Sequence, residues 1–154
     1  MNKSLAEARH IFTTQETNAS WPLIFGAWLM ATISALGALF LGEVMGFAPC
    51  VLCWYQRIFM FPLVFVLAIG LFPLDPKVIR YALPLSVMGW LVAVYHMLLV
   101  AGIIPETITP CTKGVPCSQV EVEWLGFVTI PLLSVASFTV INLLLLVTYF
   151  KSRK

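Results

Sequence analysis

Four cysteines and one arginine carry most of the chemistry this sequence offers. Cys50 and Cys53 form Cys-Val-Leu-Cys, with Pro49 just before them and Arg57 four residues after Cys53. Cys111 and Cys117 lie far along the chain with five residues between them. A Cys-x-x-Cys at a helix start is more often redox-active or metal-binding than structural. So short a ring constrains little that the helix does not already fix. Proline suits the first helical position, where its missing N–H would be unpaired anyway. That start puts both sulfurs near the positive end of the helix dipole, which favours the reactive thiolate. Arg57 then shares a face with Cys53, about 6 Å further along the axis.

Each of these residues also has a plainer use. Taken alone, Cys111 and Cys117 read as a staple, whose seven-residue ring would stabilise the fold by roughly 2.4 kcal/mol. Zinc accepts four thiolates, yet the Cys-x-x-Cys knuckle occurs once and the second pair is too widely spaced to form another. An unaccompanied arginine at this depth would snorkel to the headgroup border. Beside a thiol pair, Arg57 can instead hold a thiolate and donate to an oxygen that gains negative charge.

The elements that must position these groups are membrane spans. Of 154 residues, 60% are hydrophobic and 10% charged, and the mean hydropathy is +0.96. A soluble domain carries about 25% charged residues, so a water-soluble enzyme is excluded. The net charge is +2 with scattered basic residues, which leaves no stripe for a nucleic acid. Thr17 to Gly42, Tyr81 to Pro105 and Trp124 to Phe150 lack Asp, Glu, Lys and Arg, and Val44 to Leu74 contains Arg57 alone. Each run exceeds the roughly 20 apolar residues that a spanning helix needs. None alternates as barrel strands do. The expectation is one all-α domain over residues 1–154, a four-transmembrane-helix bundle. Its helices cover about 21–42, 50–72, 81–103 and 125–149, with an outer loop over 104–123.

Orientation follows from the basic residues. With both termini cytoplasmic, the inner side holds Lys3, Arg9, Lys77, Arg80, Lys151, Arg153 and Lys154, seven of the nine, as the positive-inside rule requires. The first apolar run is too long for a signal-peptide core and lacks a small-residue cleavage site, so it reads as an uncleaved helix. All four cysteines then fall on the outer side, where disulfides persist. Trp21, Tyr81 and Tyr149 mark inner borders, and Trp54, Tyr55 and Trp124 outer ones. On the first helix Ala27, Ala31 and Ala35 share a face, with Ser34, Ala38 and Gly42 beside it. Small residues at this spacing let neighbouring backbones approach.

Pro-Cys-Val-Leu-Cys-Trp-Tyr-Gln-Arg, from Pro49 to Arg57, resembles the signature of the DsbB family of disulfide-bond-formation membrane proteins. Four spans, cytoplasmic termini and a second cysteine pair in the loop before the last helix extend the resemblance to most of the chain. Cys117-Ser118 followed by Trp124-Leu125-Gly126 and Pro131 is similar to the family's run into its last helix. The resemblance implies a membrane thiol:quinone oxidoreductase that reoxidises a soluble thioredoxin-like (DsbA-like) dithiol oxidase outside the cytoplasm. It implies ubiquinone or menaquinone as acceptor and the bacterial cytoplasmic (inner) membrane as location. Cys53 would be the thiolate that meets the quinone, with Cys50 its partner and Arg57 the quinone-site arginine. Cys111 would form the mixed disulfide with the partner protein, with Cys117 its mate. His96 is similar to a family histidine close to the quinone, although a lone histidine in an apolar helix is at least as often a hydrogen-bonded packing residue.

The chain departs from the best-known members in its close loop pair, as the compact members do. Tight spacing favours direct closure of Cys111–Cys117 over a Cys50–Cys117 intermediate. A vitamin-K-epoxide-reductase-like enzyme would share the four helices and the quinone, but there the Cys-x-x-Cys lies on a late helix, the reverse of this order. A metal-binding protein or a disulfide-stapled membrane adaptor are the non-enzymatic readings.

Overall fold

In the computed structural model, residues 2–72, 75–105, 111, 116–117 and 129–152 are described, with side chains of the first helix from Ser20 onward. Lys113, Trp124, Leu125 and Gly126 lie outside them. Among the described residues four α-helices form: α1 (Asn2–Leu39), α2 (Val51–Leu71), α3 (Ile79–Val100) and α4 (Ile130–Ser152). There is no strand among the described residues. All four are long and apolar enough to cross a membrane, α1 through the stretch Ser20–Val44. The expected all-helical, four-span architecture is therefore present.

The helix ends follow local chemistry. α1 begins at Asn2, well before its apolar body, because nothing from Asn2 to Trp21 is glycine or proline. It ends in a π-helical turn, Phe40–Val44, and Gly46 then turns the chain with φ +73°. α2 opens at Val51, and Cys50 is its extended N-cap, so Pro49 stands one residue before the cap rather than in the first turn. A 3-10 turn, Pro76–Val78, leads into α3. α3 stops at Val100 although apolar residues continue. Gly102 takes φ +73°, its N–H reaches the Leu99 carbonyl, and the Ile103 N–H reaches Leu98. That is the Schellman arrangement, which satisfies carbonyls left free at a helix end. α4 opens at Ile130, with Pro131 in the first turn, where a missing N–H costs nothing.

The helices pack in a ring, α1 on α2, α2 on α3, α3 on α4 and α4 on α1. Ala27, Ala31 and Ala35 are buried on the α1 face that was expected to pack, and Ile24, Leu63, Leu67, Ile79, Phe138, Ile141 and Leu145 complete the core. Gly89 leaves room for the Phe138 ring, which a Cβ there would strike. Outside, Ile33, Leu36, Phe65, Ile69, Leu143, Val147 and Phe150 are exposed on the bundle surface. An apolar exterior of this extent has lipid as its solvent.

Candidate functional site

At one end of the bundle the mouth of α2 meets the end of α1, the outer part of α3 and the start of α4. The Cys53 backbone N–H donates to Cys50 Sγ at 3.3 Å, so a cysteine does the capping that serine or aspartate usually performs. The two sulfurs are 2.9 Å apart and both thiols are free. Cys111 and Cys117 are joined in a disulfide with Cα atoms 5.9 Å apart. Cys117 is buried with Cys50, Leu52 and Leu99 in one cluster, against which Cys53 and Cys111 pack. Both pairs are therefore in one place.

His96 joins them. Its ring is 3% exposed, with Nε2 3.8 Å from Cys50 Sγ and 3.2 Å from the Cys117 carbonyl oxygen. On its other side, Gln56 Nε2 is 3.1 Å from Nδ1, and Ser134 Oγ on α4 donates to Gln56 Oε1 at 2.6 Å. Cys50 precedes the spanning stretch Val51–Leu71, and its thiol is held well below the ordinary range. The hydrogen bond with Cys53 Sγ contributes most, burial opposes it, and the His96 ring and the Cys53 N–H add to the lowering. By its dipole alone the helix N-terminus favours both sulfurs. The geometry gives it to Cys50.

Arg57 turns inward. Its Nη2 donates to the Ala38 carbonyl at 2.7 Å, and its guanidinium carbon lies 5.4 Å from the Trp54 ring centroid. Gly42 makes the space, since a Cβ there would lie 3.0 Å from Nη2. Cys50, Cys53, Gln56, Arg57 and His96 all line one cavity of about 400 Å³, walled by apolar residues of α1, α2 and α4. Its α1 wall includes Ser34, Ala38 and Gly42, whose small side chains open the space. Pockets for small ring compounds begin at about 300 Å³.

Cys50, Cys53 and His96 could also offer metal ligands, since their ligating atoms lie within 4.8 Å of one another. A metal would need the Nε2 lone pair. Gln56 donates to Nδ1, which leaves the ring hydrogen on Nε2 in the neutral form, so the ring presents a donor to the sulfurs.

Thiol exchange beside an apolar cavity is the chemistry of this arrangement, and the comparisons with known proteins agree. The model of the family described as "Disulfide bond formation protein DsbB" matches residues 19–148. The chain belongs to the DsbB family. It is 50% identical over 134 residues to a "Probable disulfide formation protein" of Metapseudomonas resinovorans, covering 86% of this chain and 93% of that one. It is 42% identical over 120 residues to "Disulfide bond formation protein C" of Bacillus subtilis (strain 168), covering 77% and 86%. No solved structure matches. Membership in the DsbB family brings thiol oxidoreductase chemistry and a multi-pass membrane setting.

For this DsbB-family chain the structure brings Cys50, Cys53, Arg57, His96, Cys111 and Cys117 to one end of the bundle. Three contributors escaped the sequence reading. Gln56 carried a signal, being an uncharged polar residue inside a spanning run, but counting charges passes over it. Ser134 is one of several α4 hydroxyls, and nothing in its spacing marks it. The Ala38 carbonyl is backbone and has no sequence signal at all.

Proposed function

We propose that this chain oxidises the dithiol of a soluble, DsbA-like thioredoxin-fold protein outside the cytoplasm and delivers the two electrons to a membrane quinone, ubiquinone or menaquinone. Both termini are cytoplasmic in this reading, and the four cysteines face the exterior. The observation that carries it is that Cys53 and Arg57 line the same cavity, with a second, oxidised cysteine pair packed behind it. An apolar chamber with a cation and adjacent thiols suits a neutral ring that becomes anionic as it is reduced.

The exchanges run through the chain's own sulfurs. A partner thiolate attacks Cys111 Sγ, the Cys111–Cys117 bond breaks, and Cys117 leaves as thiolate. The partner's second thiolate then attacks the partner sulfur of that mixed disulfide, and Cys111 leaves reduced. Cys117 attacks Cys50, and the electron pair departs on Cys53, which faces the cavity. Cys111 attacks Cys117, re-forming the loop disulfide and freeing Cys50. Transfer between two disulfide pairs requires a mixed disulfide. Spacing alone favours direct closure without a Cys50–Cys117 intermediate. The burial of Cys117 with Cys50 instead favours passing through it, and the short interval lets Cys111 resolve it at once. A bound quinone supplies the oxidising equivalent, taking two electrons and two protons from the Cys50–Cys53 dithiol. Arg57 offers guanidinium hydrogens to an oxygen gaining charge and stabilises the Cys53 thiolate.

The test is purified protein supplied with a reduced thioredoxin-like dithiol and a soluble quinone. Quinone loss matched one to one by dithiol oxidation, and absent from Cys53→Ser, is the expected result. Dithiol oxidation that continues without quinone beyond the equivalents of the protein's own disulfides would sink the reading.

A further inference from the structure

Most of what surrounds His96 comes from other elements. Ser134 on α4 donates to Gln56 Oε1. That bond turns the Gln56 amide so that its Nε2 faces His96 Nδ1. Gln56 is 7% exposed and His96 3%, so losing a partner is costly for either. An amide N–H facing Nδ1 requires a lone pair there, so the neutral ring carries its single hydrogen on Nε2. Nε2 in turn faces two acceptors, the Cys50 sulfur and the Cys117 carbonyl. Every donor in this chain has an acceptor. The polarity is consistent from α4 to the cysteines.

We propose that Gln56 and Ser134 are positioning residues that lock His96 as an Nε2 hydrogen donor, so that one ring N–H serves both the sulfur of Cys50 and the backbone of the docked loop pair. The lock decides what the ring can do. With hydrogen on Nε2, His96 stabilises Cys50 as a departing thiolate and holds Cys117 against it. With hydrogen on Nδ1 instead, Nε2 would turn a lone pair toward both a thiolate and a carbonyl oxygen, and both contacts would be repulsive.

The step affected is release of Cys50, and this part rests on the dithiol-to-quinone reading above. In the Cys50–Cys117 mixed disulfide, Cys111 thiolate attacks Cys117 Sγ. The Cys111–Cys117 bond forms, the Cys117–Cys50 bond breaks, and the electron pair leaves on Cys50 Sγ. His96 keeps its proton and donates a hydrogen bond to that sulfur. Exchange rates rise as the leaving thiolate is stabilised.

The chain has two histidines, His10 and His96, so full-length His10→Gln protein labelled with ¹⁵N-histidine gives the His96 ring signals alone. In lipid or detergent, the reduced-helix, oxidised-loop form is expected to show hydrogen on Nε2 and a bare Nδ1. Gln56→Glu offers Nδ1 only an acceptor, so the single hydrogen of the neutral ring should move from Nε2 to Nδ1. Ser134→Ala removes the group that orients the amide and should give a mixture of tautomers. A wild-type ring with hydrogen on Nδ1, or an unchanged ring in both variants, overturns the lock. Packing alone would not move this signature. In single-turnover transfer from the loop pair to Cys50–Cys53, Gln56→Glu should be slower by roughly tenfold, the loss of one hydrogen bond to a charged group. Ser134→Ala should be slowed less, and attack of the partner on Cys111 should be unchanged in both. Should Gln56→Glu fail to insert, Ser134→Ala, which deletes one oxygen, decides by the same two readouts. A switched tautomer with an unchanged transfer rate overturns the role in turnover. Failure of wild-type quinone reduction strikes the functional reading instead, and the nitrogen signals still judge the lock.

Discussion

Arg57 donates to the backbone carbonyl of Ala38 at 2.7 Å, two residues before α1 widens into its π-helical turn. Such turns inside α-helices are frequent at functional sites. Here the turn includes Gly42, whose missing side chain gives the guanidinium its space. The arginine is thus tied to the neighbouring helix and lines the cavity, where its other hydrogens can meet an oxygen that gains charge.

Arg57→Ala should lower quinone-dependent turnover by roughly ten- to a hundredfold, as expected for losing one hydrogen bond to a charged group. Arg57→Lys should fall between, because an ammonium keeps the charge without the planar fork. Mixed-disulfide formation between the partner and Cys111 should not change in either. Steady-state quinone reduction set beside partner trapping checks both; normal turnover in Arg57→Ala would leave the side chain as an anchor only.

Gly42→Ala reaches the same site from α1. A Cβ there would lie 3.0 Å from Nη2 and 3.4 Å from Nη1, so the guanidinium must give by a few tenths of an ångström, which loosens its bond to Ala38. We expect quinone turnover to drop by roughly three- to tenfold, a fraction of the arginine's own contribution. Gly26→Ala, whose new Cβ would make an ordinary 3.6 Å contact with Leu144, is the control and should turn over normally. Equal rates in the two variants would contradict the cradle.

Cys111→Ala should abolish the mixed disulfide with the partner while quinone still oxidises the Cys50–Cys53 pair. Non-reducing gels of the partner complex and alkylation of the helix pair read the two halves separately. A normal partner complex on this variant would move the entry point to another cysteine.

Topology is open to labelling. A reporter fused after Lys154 should be cytoplasmic, and a membrane-impermeant thiol reagent should reach reduced Cys111 and Cys117 from outside intact cells. Modification only after the cytoplasmic side is opened would invert the orientation and remove the oxidising compartment.

Gly89→Ala tests the core below the site. Its Cβ would strike the Phe138 ring, which is fully buried, and overpacking of this kind costs about 1–3 kcal/mol. Thermal unfolding in detergent should shift downward; because Phe138 also lines the cavity, the transition and not turnover is the readout. An unchanged transition would show that Phe138 has another place to go.

Architecture was decided by the sequence alone, for a simple reason. Uncharged runs long enough to span lipid admit helices and little else, since a helix satisfies its own backbone there. Ala27, Ala31 and Ala35 were legible as a packing face because their four-residue spacing is a property of one helix. Cys-Val-Leu-Cys with Arg57 was legible for the same reason, as a motif within two turns. What lay between elements was not. The end of α3 depended on a glycine turn that hydropathy ignores, and the inward turn of Arg57 on a carbonyl of α1. The packing of Cys117 against Cys50 and the chain from Ser134 through Gln56 to His96 join residues of α2, α3, α4 and the loop, far apart in the sequence. Only the closed ring of helices brings them within hydrogen-bonding distance, and hydrogen bonds of this kind depend on distance and direction that no spacing along one chain encodes.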